Sequence, residues 1–300
     1  MPEISICLPV LNTRKFLPER IQSIKDQTFQ NWECIVSDNY SEDGSWEYLN
    51  EVCGNDPRFF LIQANKNGMY NNWNQCVTTA NGQYLYFATS DDTMKPDCIE
   101  KLLQGFAEKP HASILSSIPW IKDENGKELE SGGTGDIERK MSAVNSATQL
   151  MSNFDLINGA LFRNRTPALS MTQLLIKKEV FEDISYLPET FGSMGDWAWQ
   201  LLTLANVKWG FVPHQLGSWR RHSEQATAHA LEDHNYYFEM EKKMVQWVLG
   251  NKKFKNQHLL PLFGYWMASK NLKIDTHSLG LILGSFFFSL GKRMPFFKRY

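Results

Sequence analysis

Several classes of protein are excluded by what this chain of 300 residues lacks. Its five cysteines (Cys7, Cys34, Cys53, Cys76 and Cys98) are scattered without C-x-x-C spacing, so neither a disulfide framework nor a zinc site is expected. Cys7 and Cys34 fall inside apolar, strand-like runs and read as buried free thiols, which suits a reducing cytoplasm. Charge is nearly balanced, with 31 Lys and Arg against 33 Asp and Glu, and no lysine-rich face stands out. Nucleic acid is therefore not expected as a partner. The amino terminus enters a strand at once, leaving no room for a signal peptide. The apolar stretch from Leu279 to Leu290 is well short of the roughly 20 residues a membrane-spanning helix needs. No internal repeat is present.

What is there begins as strict alternation. Apolar runs of strand length occur at Ile4 to Leu11, with Pro9 marking the strand end, then at Trp32 to Ser37, Phe59 to Gln63 and Tyr84 to Thr89. Between them, Lys15 to Gln27, Trp46 to Val52 and Gly68 to Ala80 carry apolar residues at helical spacing. Such β-α alternation predicts an α/β domain with a mostly parallel central sheet flanked by helices. After Pro110 the pattern changes. Ser113 to Ile121, a turn over Asp123 to Gly126, and Lys127 to Leu129 predict a hairpin. Ser131 to Asp136 reads as a mobile loop, and a strand is expected near Met171 to Lys177. A helix over Gly195 to Ala205, a short strand over Trp209 to Val212, and a helical tail from about His229 complete the reading. The expected division is a catalytic domain over 1–228, with halves meeting near 110, and a helical C-terminal extension over 229–300.

The chemistry concentrates at Ser90, Asp91 and Asp92, immediately after the Tyr84 strand. Open α/β sheets bind ligands outside the carboxyl ends of their strands. Two adjacent carboxylates repel each other, and a divalent cation relieves that repulsion. Magnesium in particular takes one or two carboxylates together with substrate phosphates. The other reading of the pair is an N-cap for a helix beginning near Pro96.

Five motifs in order, LPVLN (Leu8 to Asn12), VSDNYSEDGS (Val36 to Ser45), NGMYNNWN (Asn67 to Asn74), ANGQYLYF (Ala80 to Phe87) and SDD (Ser90 to Asp92), resemble the family 2 glycosyltransferases of GT-A fold. The resemblance is unbroken from residue 4 to about 105 and thinner to about 228. It implies inverting transfer of a sugar from a nucleotide diphosphate donor, usually a uridine one, to an acceptor hydroxyl. It places Pro9, Val10 and Asn12 in the nucleotide pocket, through backbone amides free to meet base or phosphate. Asp38 would accept the imide N–H of uracil, although an Asx-turn is the ordinary role for such a residue. Asn74 would reach the nucleotide sugar and Lys66 a phosphate. Asp91 would hold Mn2+ or Mg2+ as a divalent cofactor and also meet the donor, with Asp92 helping.

Two later segments extend the likeness. ETFGSMGDWAW (Glu189 to Trp199) is similar to the family's stretch in which an acid precedes an aromatic-rich helix, which makes Asp196 the base that deprotonates the acceptor. Relatives commonly carry Glu-Asp at this step, and here Gly195 occupies the first place. WRRHSEQAT (Trp219 to Thr227) is similar to an Arg-x-His stretch, giving His222 as a further metal ligand and Arg220 as a phosphate contact. Relatives also often carry an acid where this chain has Thr89.

A glycan or lipid-linked glycan is the implied acceptor. The phenylalanine-rich stretch before the basic Lys292 to Arg299 end suits peripheral contact with an anionic membrane face, while packing on the protein or a dimer contact are its other roles. A nucleotidyltransferase is the enzymatic rival, but the loop after the first strand lacks its glycines. A sugar-binding scaffold that kept the fold and lost activity is the rival from outside catalysis.

Overall fold

Among the described residues, 1–65, 68–129, 168, 170–223, 225 and 234–252 of the computed structural model, seven strands form one sheet in the order β3-β2-β1-β4-β6-β5-β7. The alternating first half gives β1 (Ile4–Val10), α1 (Leu17–Lys25), β2 (Trp32–Asp38), α2 (Ser45–Cys53), β3 (Phe59–Gln63), α3 (Met69–Thr79), β4 (Tyr84–Phe87) and α4 (Cys98–Glu108). Strands β3, β2, β1 and β4 are mutually parallel, so their carboxyl ends share one edge, with Val10, Asp38 and Gln63 in register.

The second half adds β5 (Ile114–Lys122), β6 (Leu174–Lys177), α5 (Glu179–Asp183), α6 (Gly195–Asn206), β7 (Trp209–Arg220) and α7 (His234–Gly250). Strand β6 is antiparallel to both β4 and β5, and β7 is parallel to β5. Two reversals cancel. The ends of β5 and β7, at Lys122 and Arg220, therefore emerge on the same edge as the end of β4.

The period of two divides the core. Ile4, Ile6, Leu8 and Val10 face α1, α2 and α4, whereas Cys7 faces the layer built from α3, α6 and α7. All five cysteines are buried free thiols, as expected for Cys7 and Cys34. Helix α7 places Met244, Val245 and Val248 wholly inside the same layer as α6, and Phe191 meets Trp247 edge-on at 5.6 Å.

Three boundaries differ from the sequence expectation. Pro9 does not end β1; it pairs with Ser37 inside the strand. Residues 7 and 9 face the same neighbour, and the β1–β4 ladder stops at Cys7, so the missing N–H of Pro9 forfeits no bond. Strand β7 runs on to Arg220 instead of stopping at Val212, because a register shift opposite Ser116–Pro119 accommodates Pro213 on an edge strand. The acidic pair caps no helix, since α4 begins at Cys98 and Asp97 flanks it. The hairpin after β5 forms as expected, with the Asp123 N–H bonded to the Lys127 carbonyl. The expected loop at Ser131 to Asp136, Lys66, and the Leu279 to Arg299 tail lie outside the described residues. No helix among the described residues is long and apolar enough to cross a membrane.

Candidate active site

The two adjacent aspartates part company. Asp91 is half-buried, and its Oδ2 lies 3.0 Å from His222 Nε2, with the Phe16 ring centred 4.9 Å from the imidazole. Asp92 points inward and is 2% exposed. Its Oδ2 accepts from Thr89 Oγ1 at 2.6 Å and Ser170 Oγ at 3.1 Å, and its Oδ1 accepts from the Arg220 N–H at 2.6 Å. Burial, then the Asp91 charge, push its carboxyl up to about 7. The expectation of Asp92 as a metal ligand is thereby corrected: three protein donors occupy its oxygens, and it anchors the loop that carries Asp91.

Arg220 is corrected in the same sense. It is 2% exposed, and its guanidinium holds protein rather than facing a phosphate. Nε donates to the Asp91 carbonyl at 2.6 Å, Nη1 to the Glu124 carbonyl at 3.1 Å, and Nη2 to Glu19. Glu19 also binds the buried Lys122 at 2.7 Å, and Lys122 donates to Thr93 Oγ1 at 2.8 Å. From the other side, buried Arg20 donates Nε to the Thr89 carbonyl at 2.9 Å. Two arginines thus clamp the turn at Thr89 and Asp91. Arg220→Ala should cost about 1–3 kcal/mol of stability, since it removes the donor from the half-buried Asp91 carbonyl and the Glu124 carbonyl and one of the two cationic partners of Glu19. Thermal denaturation checks this, and an unchanged midpoint would remove the clamp from the account.

Asp38 is fully buried at the carboxyl end of β2. Its Oδ2 accepts from the Ser41 N–H at 3.0 Å, which is the Asx-turn alternative. Its Oδ1 is buried and receives no donor among the described residues. The same holds for Asn39 Oδ1 and Asn72 Oδ1. Buried acceptors left open in this way ask for a donor from a ligand or water. Asn72 was not singled out from the sequence; its place four residues before buried Cys76, on the inward stripe of α3, was the available signal.

The amides after β1 are already used. The Asn12 N–H donates to Ser41 Oγ at 2.9 Å, Thr13 N–H to Ser45 Oγ at 3.3 Å and Arg14 N–H to Asp43 Oδ2 at 2.8 Å, while Asn12 Oδ1 accepts from the Glu42 N–H. Pro9 has no N–H to offer, and the Val10 carbonyl accepts from Asn39 N–H and Asn72 Nδ2. Asn12, at φ 50°, therefore staples the two loops together rather than presenting a free amide. Asn74 is turned away too. Its amide exchanges two bonds with the Leu187 backbone, at 2.9 and 3.0 Å. It fixes the segment leading to α6 and does not reach toward a nucleotide sugar.

Asp196 opens α6, where the helix amino end favours a carboxylate. Its Oδ1 accepts from Tyr70 Oη and from the Trp197 N–H, both at 2.9 Å, leaving Oδ2 without a donor among the described residues. Burial raises its carboxyl above the usual range, opposed by the Tyr70 hydroxyl and the Trp197 N–H. Burial, followed by the Asp196 charge, keeps the Tyr70 phenol protonated. A Cβ on Gly195 would overlap the Pro188 carbonyl and stand 2.7 Å from Tyr70 Cδ2. Gly195→Ala should therefore lose about 1–3 kcal/mol through overpacking, seen as a lower melting temperature.

A divalent ion is the cofactor that this donor set can be tested against. Among the described residues no three metal-ligating side chains cluster. Asp91 and His222 nevertheless form a pair whose 3.0 Å separation equals the edge of an octahedron with bonds of about 2.1 Å. The carboxylate, with other positions left to phosphate and water, suits Mn2+ or Mg2+, and the imidazole nitrogen favours Mn2+ of the two.

Sheet order, the antiparallel β6 and the loop after β4 together define the GT-A fold. TarS of Staphylococcus aureus, solved in complex with UDP-GlcNAc, superposes with a TM-score of 0.62 at 17% identity, over 97% of this chain and 80% of that one. A mannosyltransferase of Pyrobaculum calidifontis, solved with GDP-Man and Mn2+, gives 0.54 at 14% identity, over 96% and 81%. The chain belongs to glycosyl transferase family 2, whose sequence profile matches residues 5–184. Glycosyltransferase GlyG of Streptococcus pneumoniae is 31% identical over 184 residues, which is 61% of this chain and 59% of that protein. The GalNAc(5)-diNAcBac-PP-undecaprenol beta-1,3-glucosyltransferase of Campylobacter jejuni is 27% identical over 195 residues, 64% and 57% of the two chains. The chain thus spans somewhat under three fifths of those two relatives' lengths.

Proposed function

We propose that this protein transfers a sugar from a nucleotide diphosphate donor, a uridine one, to an acceptor hydroxyl with inversion of configuration. The observation that carries the proposal is the Asp91–His222 pair, 3.0 Å apart beside the carboxyl end of β4. Asp91 and His222 would hold Mn2+ or Mg2+. When bound, such an ion offsets the negative charge that grows on the departing diphosphate. The open Asp38 Oδ1 is suited to the one N–H of uracil. Asp196 takes the proton of the acceptor hydroxyl as that oxygen attacks the anomeric carbon from the face opposite the diphosphate. One displacement inverts the centre, and no covalent sugar–enzyme intermediate is required.

Surface polysaccharide or lipid-linked glycan synthesis on the cytoplasmic face of a membrane is the proposed setting. The polyprenol-linked substrate in the name of the Campylobacter relative supports it, as do five free thiols. Domains over 1–228 and 229–300, with membrane contact through the tail, belong to the same proposal.

The test is a panel of nucleotide sugars with MnCl2, followed by detection of the released nucleotide. Slow donor hydrolysis to a nucleoside diphosphate, lost on chelation and restored by Mn2+, is expected. Release of pyrophosphate, or silence with every donor, would overturn the reading.

A further inference from the structure

We infer that Tyr70 is the positioning residue for the Asp196 base, its phenol standing where Gly195 supplies no side chain. The inference rests on the reading of Asp196 as the base, and it explains why glycine precedes that aspartate here.

The geometry is specific. Tyr70 is 3% exposed and lies on α3, which belongs to the donor half, whereas Asp196 opens α6 in the acceptor half. Its hydroxyl meets Asp196 Oδ1 at 2.9 Å and the Ser193 carbonyl at 3.1 Å. The ring is held in turn by Trp73, edge-on at 5.7 Å, and Trp73 stacks on Phe87 of β4 at 5.3 Å. The flank of the ring and the Pro188 carbonyl together fill the space over Gly195, so a side chain there would meet both. Tyr70 and Gly195 are therefore a matched pair.

The chemical consequence follows from the two oxygens. Donors from Tyr70 and the Trp197 N–H converge on Oδ1, which fixes the plane of the carboxylate and leaves Oδ2 as the proton acceptor. A hydrogen bond to the charged form also favours it. Without the phenol, burial alone would hold the carboxyl protonated to higher pH. Among the described residues, Tyr70 and the Trp197 N–H are the side-chain and backbone partners of Asp196 outside its own backbone. Glu189 begins the 3-10 turn packed against α6, and α7 offers that layer the uncharged Met244, Val245 and Val248.

Two further bonds tie α3 to the site's other parts. Asn72 Nδ2 reaches the Val10 carbonyl at 3.2 Å, and Asn74 clamps Leu187. One helix thus registers the nucleotide edge, the base and the segment before the base.

The test is the pH profile of kcat/KM for full-length Tyr70→Phe, which keeps the ring over Gly195 and removes only the hydroxyl. The acid limb should move to higher pH, with about tenfold less activity on that limb, the size of one hydrogen bond to a charged group. On the alkaline plateau the loss should stay within about twofold, and the KM for donor should be unchanged. Should Tyr70→Phe fail to fold, 3-fluorotyrosine at position 70, a stronger donor, should move the limb the opposite way. A folded variant whose limb does not move, or which loses activity equally at every pH, overturns the inference. The parallel variant Asp196→Asn separates the two readings. Activity in Asp196→Asn overturns the base itself, whereas an inactive Asp196→Asn beside an unmoved Tyr70→Phe overturns only the role of Tyr70.

Discussion

Asp91→Ala should abolish transfer, with kcat/KM lower by about a thousandfold or more, while the protein should melt close to the wild-type temperature. The magnitude is that of removing charge stabilisation from a developing diphosphate. Stability is spared because the structural bond of this residue is made by its backbone. The Asp91 carbonyl accepts from Arg220 Nε, and alanine keeps that carbonyl. The carboxylate itself is half-buried, and its partner is His222. Asp92→Ala should give the converse result. It strips the acceptor from Arg220 N–H, Thr89 Oγ1 and Ser170 Oγ, all within 3.1 Å, and should cost about 3 kcal/mol. Calorimetric titration with UDP and Mn2+, beside thermal denaturation, distinguishes the two neighbours. Retention of Mn2+-dependent UDP binding by Asp91→Ala would falsify the metal assignment.

Asp196→Asn should lower kcat by a factor of about 10² to 10⁴, the usual contribution of a general base, with UDP binding intact. The effect on stability runs the other way. Burial raises the carboxyl of Asp196, so its folded form binds a proton more readily than its unfolded form. Its contribution is fully present below the unfolded value and is lost as pH rises through the raised one. Above that range the wild-type protein carries a half-buried charge that asparagine does not. Asparagine can still accept from Tyr70 and from the Trp197 N–H. The inactive variant should therefore melt higher than wild type at pH 8, and the gap should narrow as the solution is acidified. In the active enzyme, turnover should fail on the acid side as the base becomes protonated, at a higher pH than an ordinary aspartate would impose. Equal melting temperatures at all pH values would count against a buried charge at this position.

Much of the first half, up to α4, was legible because its signals are local. Strand β3 runs from Phe59 to Gln63 as the apolar run predicts, and Asp38 and Asp91 lie at or just beyond strand ends as read. Side-chain direction was not legible. Nothing in Ser90, Asp91 and Asp92 tells which carboxylate faces out, because that depends on Ser170 and Arg220, 78 and 128 residues further along. The same long range hides the role of Arg220, which the resemblance offers as a phosphate contact and which proves to be buried. Asn74 reads as a contact to the nucleotide sugar, and its true partner, Leu187, is 113 residues away. Tyr70 escaped notice for a related reason. A tyrosine on the inward stripe of a helix looks like core, and only the approach of α6 gives its hydroxyl a task.

The docking of α7 bears on how the protein can be cut. A fragment ending at residue 228 would look complete on the strand and motif pattern, yet it would bare the greasy seat now covered by Met244, Val245 and Val248. That seat backs onto α6, whose first turn carries Asp196. Shortened versions ending at residue 228 should consequently clump and lose turnover together.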